Sequence, residues 1–180
     1  MKNKNEWISN YNEIKPYESK IPTYKEIKEH YFLVTAGDEK KCNSMTVNWV
    51  SFGIFFQMPT LTIYIGAERY TKEFIDKSEY FSVCALDYQK YKEQLNFMGS
   101  FSGKFGDKYK KTKLTPVKLD NTMAIKEANT IYICRRLAQS DIIPKTIREC
   151  EELHTMFDVN NPKDYTTAYI AEIIKVYEKK

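Results

Sequence analysis

The chain reads as mainly β with short helices (α+β), an antiparallel barrel that is closed or partly closed. Three observations predict it. At least six runs of β-branched and aromatic residues recur along the 180 residues, bounded by Gly, Pro, Asn, Asp or Ser. The helical patterns between them are short and show no regular strand–helix–strand alternation. No Gly-rich turn leads from a first strand into a helix, and there is no Walker-type loop, so a doubly wound nucleotide fold is not expected.

The elements follow in order. Residues 1–20 are polar and predict an arm or short helix that is loosely held, leaving 21–180 as a single domain. Tyr31-Phe32-Leu33-Val34-Thr35-Ala36 predicts a strand, and Gly37-Asp38-Glu39-Lys40 the turn after it. Met45 to Phe56 reads as one run with a bend or bulge at Gly53. Pro59 is expected to break that run before a strand over Leu61 to Ile65. Thr71 to Ser78 predicts a helix, with Thr71 or Tyr70 near its cap and Phe74 and Ile75 on one face. Tyr80 to Leu86 returns to strand. Tyr91, Leu95 and Met98 give Tyr88 to Met98 an apolar helical face, and Gly99 suits its end. Strands over Met123 to Glu127 and Thr130 to Ser140, a helix over Thr146 to Phe157 and a strand over Thr167 to Tyr177 complete the reading.

Composition narrows the function classes. Hydrophobic residues make up 42% and charged residues 29%, a globular rather than disordered balance. A chain this long buries roughly 70% of its unfolded surface. Lys plus Arg is 28 against 24 acidic residues, and a net +4 falls short of the basic stripe of a dedicated nucleic-acid binder. No run of 18 apolar residues is present, so no membrane span is expected, and Met1 to Glu6 lacks the apolar core of a signal peptide; a cytoplasmic location follows as the expectation. Cys42, Cys84, Cys134 and Cys150 form no Cys-x-x-Cys pair and read as free thiols, Cys84 and Cys134 in the core. Cys42 is either a plain loop residue or a neighbour of a bound group. His30 and His154 lack ligand spacing, so no metal site is expected.

Three polar stretches remain. In Cys42 to Trp49, Asn43 and Ser44 are turn formers and Trp49 suits a core, yet the segment also offers Met45, Thr46 and free peptide groups to a ligand. Arg69-Tyr70-Thr71 fits a helix cap with a surface charge, or an anion site built from a guanidinium and a helix N-terminus. Gly99-Ser100-Phe101-Ser102-Gly103-Lys104, with Asp107-Lys108 behind it, fits a solvent loop or an anion-binding loop. Phosphate oxygens only accept hydrogen bonds, and hydroxyls, free N–H groups and cations are what they require. If the three stretches converge, they form an anion pocket with aromatic walls.

In wording and spacing the three together resemble the flavin reductase-like, flavoredoxin-type proteins, from about Ile27 to Val176. The resemblance implies an FMN-binding split β-barrel, usually a homodimer with the cofactor near the dimer interface. It places Asn43, Ser44, Met45, Thr46 and Trp49 at the flavin ring. It gives the phosphate to Arg69, Tyr70, Thr71, Ser100, Ser102, Gly103 and Lys104, and sets Lys108 close to the ring, where it would tune the ring's charge. The activity implied is transfer of reducing equivalents between NAD(P)H and flavin, or from flavin to a protein redox partner. No catalytic residue beyond the flavin itself is then required.

The chain departs from the pattern in two places. The family usually has Arg where Lys104 stands and Asp where Phe105 stands, and Lys lacks the bidentate fork. The family's Asp-x-His before the last strand is Asp164-Tyr165-Thr166 here. The missing histidine favours an alternative, a non-catalytic flavin-binding electron carrier. A remoter alternative is a single-strand nucleic-acid-binding barrel, drawn from the basic and aromatic run Lys104 to Lys111.

Overall fold

Alternation of side chains along the strands builds two cores, one on each face of the sheet. A computed structural model describes residues 6–147, 161 and 164–180. Strand β1 is Tyr11–Ile14; helix α1 Tyr24–His30; β2 Phe32–Gly37; β3 Cys42–Val47; β4 Val50–Phe55; β5 Met58–Gly66; α2 Tyr70–Lys77. There follow β6 Tyr80–Ala85, α3 Tyr88–Ser100, α4 Lys108–Thr112, β7 Pro116–Leu119, β8 Thr122–Ile125, β9 Thr130–Ile142 and β10 Thr166–Lys179. Phe32, Val34 and Ala36 of β2 share one core with Leu61, Ile63 and Ile65 of β5 and Tyr169 of β10. The residues between them point the other way: Leu33 of β2 and Cys84 of β6 pack with Leu95 and Met98 of α3 and Ile125 of β8. Burial on both faces is why these strands read as continuous apolar runs.

The main sheet runs β3-β2-β6-β9-β10-β5-β4, with β1 also paired to β10, and every pairing is antiparallel. β3 and β4 lie at opposite ends of that path, yet only Asn48 and Trp49 separate them in the chain. Two extended residues reach only about 10 Å, so the sheet must curl until its two ends meet. That is the barrel predicted from sequence, closed by a link instead of by a ladder. β7 and β8 form a separate two-stranded sheet over the second core.

Several element boundaries differ from expectation. Met45 to Phe56 is two strands, because at Trp49 the chain crosses from β2's ladder to β5, whose Tyr64 N–H donates to the Trp49 carbonyl at 3.2 Å. Pro59 lies inside β5 and breaks nothing. The reversal is Phe56-Gln57, both at positive φ (48° and 61°), a two-residue hairpin turn. Pro59 faces Ile54 in the non-hydrogen-bonded alternation of that hairpin, and pairing with β10 starts one residue later at Thr60, so its missing N–H leaves no ladder bond unmade. Gly99 does not end α3, which continues through Ser100. Within the N-terminal segment Tyr11–Ile14 is firmly held: β1 pairs with β10, and the buried Tyr11 hydroxyl bonds to the carbonyls of Lys126 and Ala128. Helix α1, opened by a Thr23/Glu26 capping box, and the elements α4 and β7 were not anticipated. Of the helix expected over Thr146 to Phe157, only a short turn at Pro144–Thr146 lies within the described residues; Cys150 and His154 also fall outside them.

Candidate functional site

The site is assembled where β3, α2 and the segment after α3 meet. Pairing in β2–β3 alternates, and Asp38 N–H bonds the Lys41 carbonyl at the hairpin end. Counting back from that pair, the peptide groups of Ser44 and Thr46 point away from β2, along the strand's open edge. Asn43 ties the strand to α2: its Nδ2 donates to Thr71 Oγ1 at 2.7 Å. Thr71 is buried at the second position of α2 and is not its cap; Arg69 holds the cap position without a side-chain cap bond. Accepting from Asn43 leaves the Thr71 hydroxyl its own proton to donate.

Glycine permits the third segment to close on the other two. A Cβ on Gly103 would lie 2.3 Å from Asn43 Oδ1 and 3.3 Å from the Tyr70 ring. One on Gly99 would meet Thr46 at 3.2 Å. Arg69 Nη1 donates to the Gly99 carbonyl at 3.0 Å, fixing the guanidinium across the junction.

Lys108 comes from the other side. Asp107 caps α4 by accepting from the N–H groups of Tyr109 and Lys110, which sets Lys108 in the first turn. Its side chain is buried, 3% exposed, and Nζ donates to the carbonyls of Ser44 (2.8 Å) and Met98 (2.5 Å). An ammonium has three donors, so one remains for the recess that Lys108 lines. Burial, and secondarily the Arg69 charge, lower its pKa from 10.5 to about 8.

Two connected spaces result. A recess of about 70 Å³ is lined by Asn43, Met45, Arg69, Tyr70, Thr71, Ser100, Ser102, Gly103 and Lys108, so all three polar stretches do converge. A larger cleft of about 480 Å³ opens where β3 and β5 diverge, walled by Met45, Thr46, Trp49, Tyr64, Gly66 and Thr166. Met45, Glu68 and Arg69 border both.

One expected residue, Lys104, is not brought in, and Ser44 enters through its peptide group alone. Ser44 is fully buried and its hydroxyl is bonded to Thr35 (2.7 Å) and Tyr109 (2.8 Å); only its peptide group faces the site, because neighbours along a strand alternate faces. Lys104 points outward, its ammonium 2.9 Å from Glu73 and 5.3 Å from the Tyr70 ring centre, and it lines neither space. Lys108 lines the recess and not the larger cleft. The Ser100 hydroxyl donates back to the Asn96 carbonyl, whereas Ser102 Oγ accepts from Lys104 N–H and keeps its proton free. The sequence reading missed Tyr64 and Glu68; Asp164 and Thr166, noted only as the place of the family's Asp-x-His, also line the cleft, where the β5–β10 pairing brings Tyr64 and Thr166. Cys42 is half-buried, bonded to the Tyr109 hydroxyl, and burial pushes its thiol pKa up, away from reactive thiolate behaviour. Among the described residues no cluster of three metal ligands exists, and no helix is long and apolar enough to cross a membrane.

With this geometry in place, comparison with known proteins is informative. A family model described as "Flavin reductase like domain" matches residues 24–177. No curated protein matches the chain. Among solved structures, an FMN-binding domain of a flavin reductase-like enzyme from Shewanella baltica superposes with a TM-score of 0.67 at 16% identity, covering 94% of this chain and 78% of that one. Flavoredoxin from Methanosarcina acetivorans gives 0.63 at 22% identity, covering 90% and 76%. Flavoredoxin of Desulfovibrio vulgaris gives 0.64 at 20%, covering 83% and 69%. At these identities the structures establish a shared fold.

Proposed function

The chain belongs to the flavin reductase-like domain family, and from that premise we propose that it is an FMN-binding oxidoreductase. The observation that carries the reading is the convergence of three sequence-distant polar stretches on one recess that adjoins a larger cleft. The donor set suits a phosphate monoester: a guanidinium at Arg69, a buried ammonium at Lys108, hydroxyls at Thr71 and Ser102, and the uncapped N-terminus of α2. Gly103 leaves room where any Cβ would collide with Asn43. The residues present therefore fit the group.

In this reading Arg69, Thr71, Ser102 and Lys108 hold the phosphate. Met45, Thr46 and Trp49 wall the ring, and the peptide groups of Ser44 and Thr46 match its alternating donors and acceptors. FMN supplies the redox chemistry, exchanging reducing equivalents with NAD(P)H or with a redox protein. The protein's own part is to orient the ring and to keep positive charge at Lys108 Nζ and Arg69.

A specific observation favours a second reading, a non-catalytic flavin carrier. Thr166, at the position of the family's histidine, is a buried hydroxyl on the cleft wall and offers no proton titrating near neutrality. Homodimerisation is also part of the proposal. Ile54 (62% exposed) and Phe56 (77%) stand in solvent on β4 and its turn, with Phe55 and Trp49 partly exposed beside them, an apolar face suited to a second copy.

Reconstitution with FMN tests the assignment. The protein is expected to turn yellow and retain FMN through gel filtration, and Arg69→Ala to retain it about tenfold less well. A folded preparation that stays colourless would refute flavin binding. Anaerobic titration with NADH and NADPH then separates the two readings, since a carrier leaves the nicotinamide unoxidised.

A further inference from the structure

A second cleft of about 480 Å³ lies beside the recess, on the far side of Tyr70, and the flavin assignment does not use it. Its walls are Lys40 and Lys41 of the β2–β3 turn, Tyr70, Phe74 and Lys77 of α2, and Tyr80 of β6. Tyr70, Phe74 and Lys77 recur at i, i+4 and i+7, so they form one stripe along α2. The stripe begins at the end of the helix that borders the recess and runs about 10 Å along it.

The charges in this cleft are unequal in availability. Asp38 accepts from the N–H groups of Lys40 and Lys41, and Glu73 is ion-paired with Lys104 while also feeling the charges of Lys41 and Lys77. The third carboxylate, Glu79, lies near Arg135. No carboxylate lies within ion-pair distance of Lys40, Lys41 or Lys77 among the described residues. The Lys41 ammonium sits 5.9 Å from the centres of both the Tyr70 and Phe74 rings, holding a cation over an aromatic pair whose rings meet edge to face at 5.1 Å. Exposed ammonium groups outside any ion pair among the described residues, set beside aromatic rings, match a ligand that combines phosphate with a planar base.

We infer that this cleft binds a nucleoside phosphate, with the base against Tyr70 and Phe74 and the phosphate between Lys41 and Lys77. Two sources share that chemistry: a free nucleotide, or the adenylate tail of a dinucleotide flavin whose first phosphate occupies the recess across Tyr70. The second source rests on the flavin reading above; the first does not.

Calorimetric titration of the apo protein with ADP, and of FMN against FAD, tests the site in wild type and in Lys41→Ala/Lys77→Ala. Both lysines are exposed, and the double variant should retain FMN within twofold. If ADP binds and the variant weakens it about tenfold or more, the cleft takes free nucleotide. If instead FAD binds more tightly than FMN and the variant removes only that advantage, the cleft takes the flavin's tail. Absence of ADP binding together with no lysine-dependent difference between FAD and FMN overturns the inference, whether or not FMN itself binds. FMN failing to bind while ADP binds through the two lysines would defeat the flavin reading and leave the cleft assignment standing.

Discussion

β3 and β4, the two outer strands of the sheet, are joined by two residues, yet their unpaired edges carry opposite chemistry. Along β3, the peptide groups of Ser44 and Thr46 meet Lys108, Arg69 spans to Gly99, and Asn43 is locked to Thr71. Along β4, Ile54, Phe55 and Phe56 stand in solvent. An open strand edge is a row of unused donors and acceptors that invites pairing. Here one edge is surrounded by fixed polar groups and becomes a ligand-binding surface, and the other keeps apolar side chains suited to another protein surface. The difference lies in what the flanking elements supply: Arg69 at the start of α2 and Lys108 of α4 bring charge to β3, α3 brings the Met98 and Gly99 carbonyls, and among the described residues no helix covers β4.

The largest expected break in this contrast is Lys108→Met. It removes a buried cation and strands the carbonyls of Ser44 and Met98, and a charge-assisted hydrogen bond is worth roughly 1.5–3 kcal/mol. FMN affinity should fall about 10- to 100-fold in a fluorescence titration; unchanged affinity would remove Lys108 from the proposed phosphate set. Next comes pH. The Lys108 ammonium titrates at about 8 in the fold against 10.5 when unperturbed. Flavin retention should therefore decline as pH rises past 8, and Lys108→Met should flatten that decline. The apo protein should respond in the opposite sense. Burying the cation destabilises the fold fully below pH 8, and that penalty fades as pH climbs from 8 to 10.5, since the unfolded chain binds the extra proton there. Chemical denaturation of the apo form at pH 7.5 and 9.5 checks the sign.

On the other edge, Phe56→Asp should shift light-scattering mass toward monomer at micromolar protein while the isolated fold stays intact. Flavin retention should drop less than for Lys108→Met; a larger drop would mean that the β4 edge contributes directly to the ligand. The smallest effect is expected from Lys104→Ala. That exposed lysine is engaged with Glu73, and flavin affinity should stay within twofold. A tenfold loss would return Lys104 to the phosphate.

The sequence made the site's membership more legible than its detail. The three polar stretches were readable because anion binding needs few residue types, and those types cluster beside strands. Which of two nearby lysines faces inward was not. Asp107 decides it by capping α4, and that helix is five residues long, too short for its own periodicity. Ser44 was expected to offer its peptide group, and the pleat of β3 leaves it only that, turning its hydroxyl to Thr35 and Tyr109. Strands were legible where both faces are buried, as in β2 and β6. The turn at Phe56-Gln57 was not, because aromatic and amide residues seldom adopt positive φ and Pro59 is the more usual signal of a break. Tyr64 and Thr166 reach the cleft through the long-range β5–β10 pairing, which no local pattern encodes.

The placement of β10 has a consequence for biogenesis. This strand, the last element in the chain, lies between β9 and β5 and also receives β1. Until Thr166–Lys179 has left the ribosome, only the Asn48-Trp49 link joins the two halves of the sheet, and no ladder holds the walls contributed by β5 and by β3 in position. Loading of any prosthetic group should then wait for β10, and a nascent chain stalled before residue 166 should expose an incomplete sheet to chaperones.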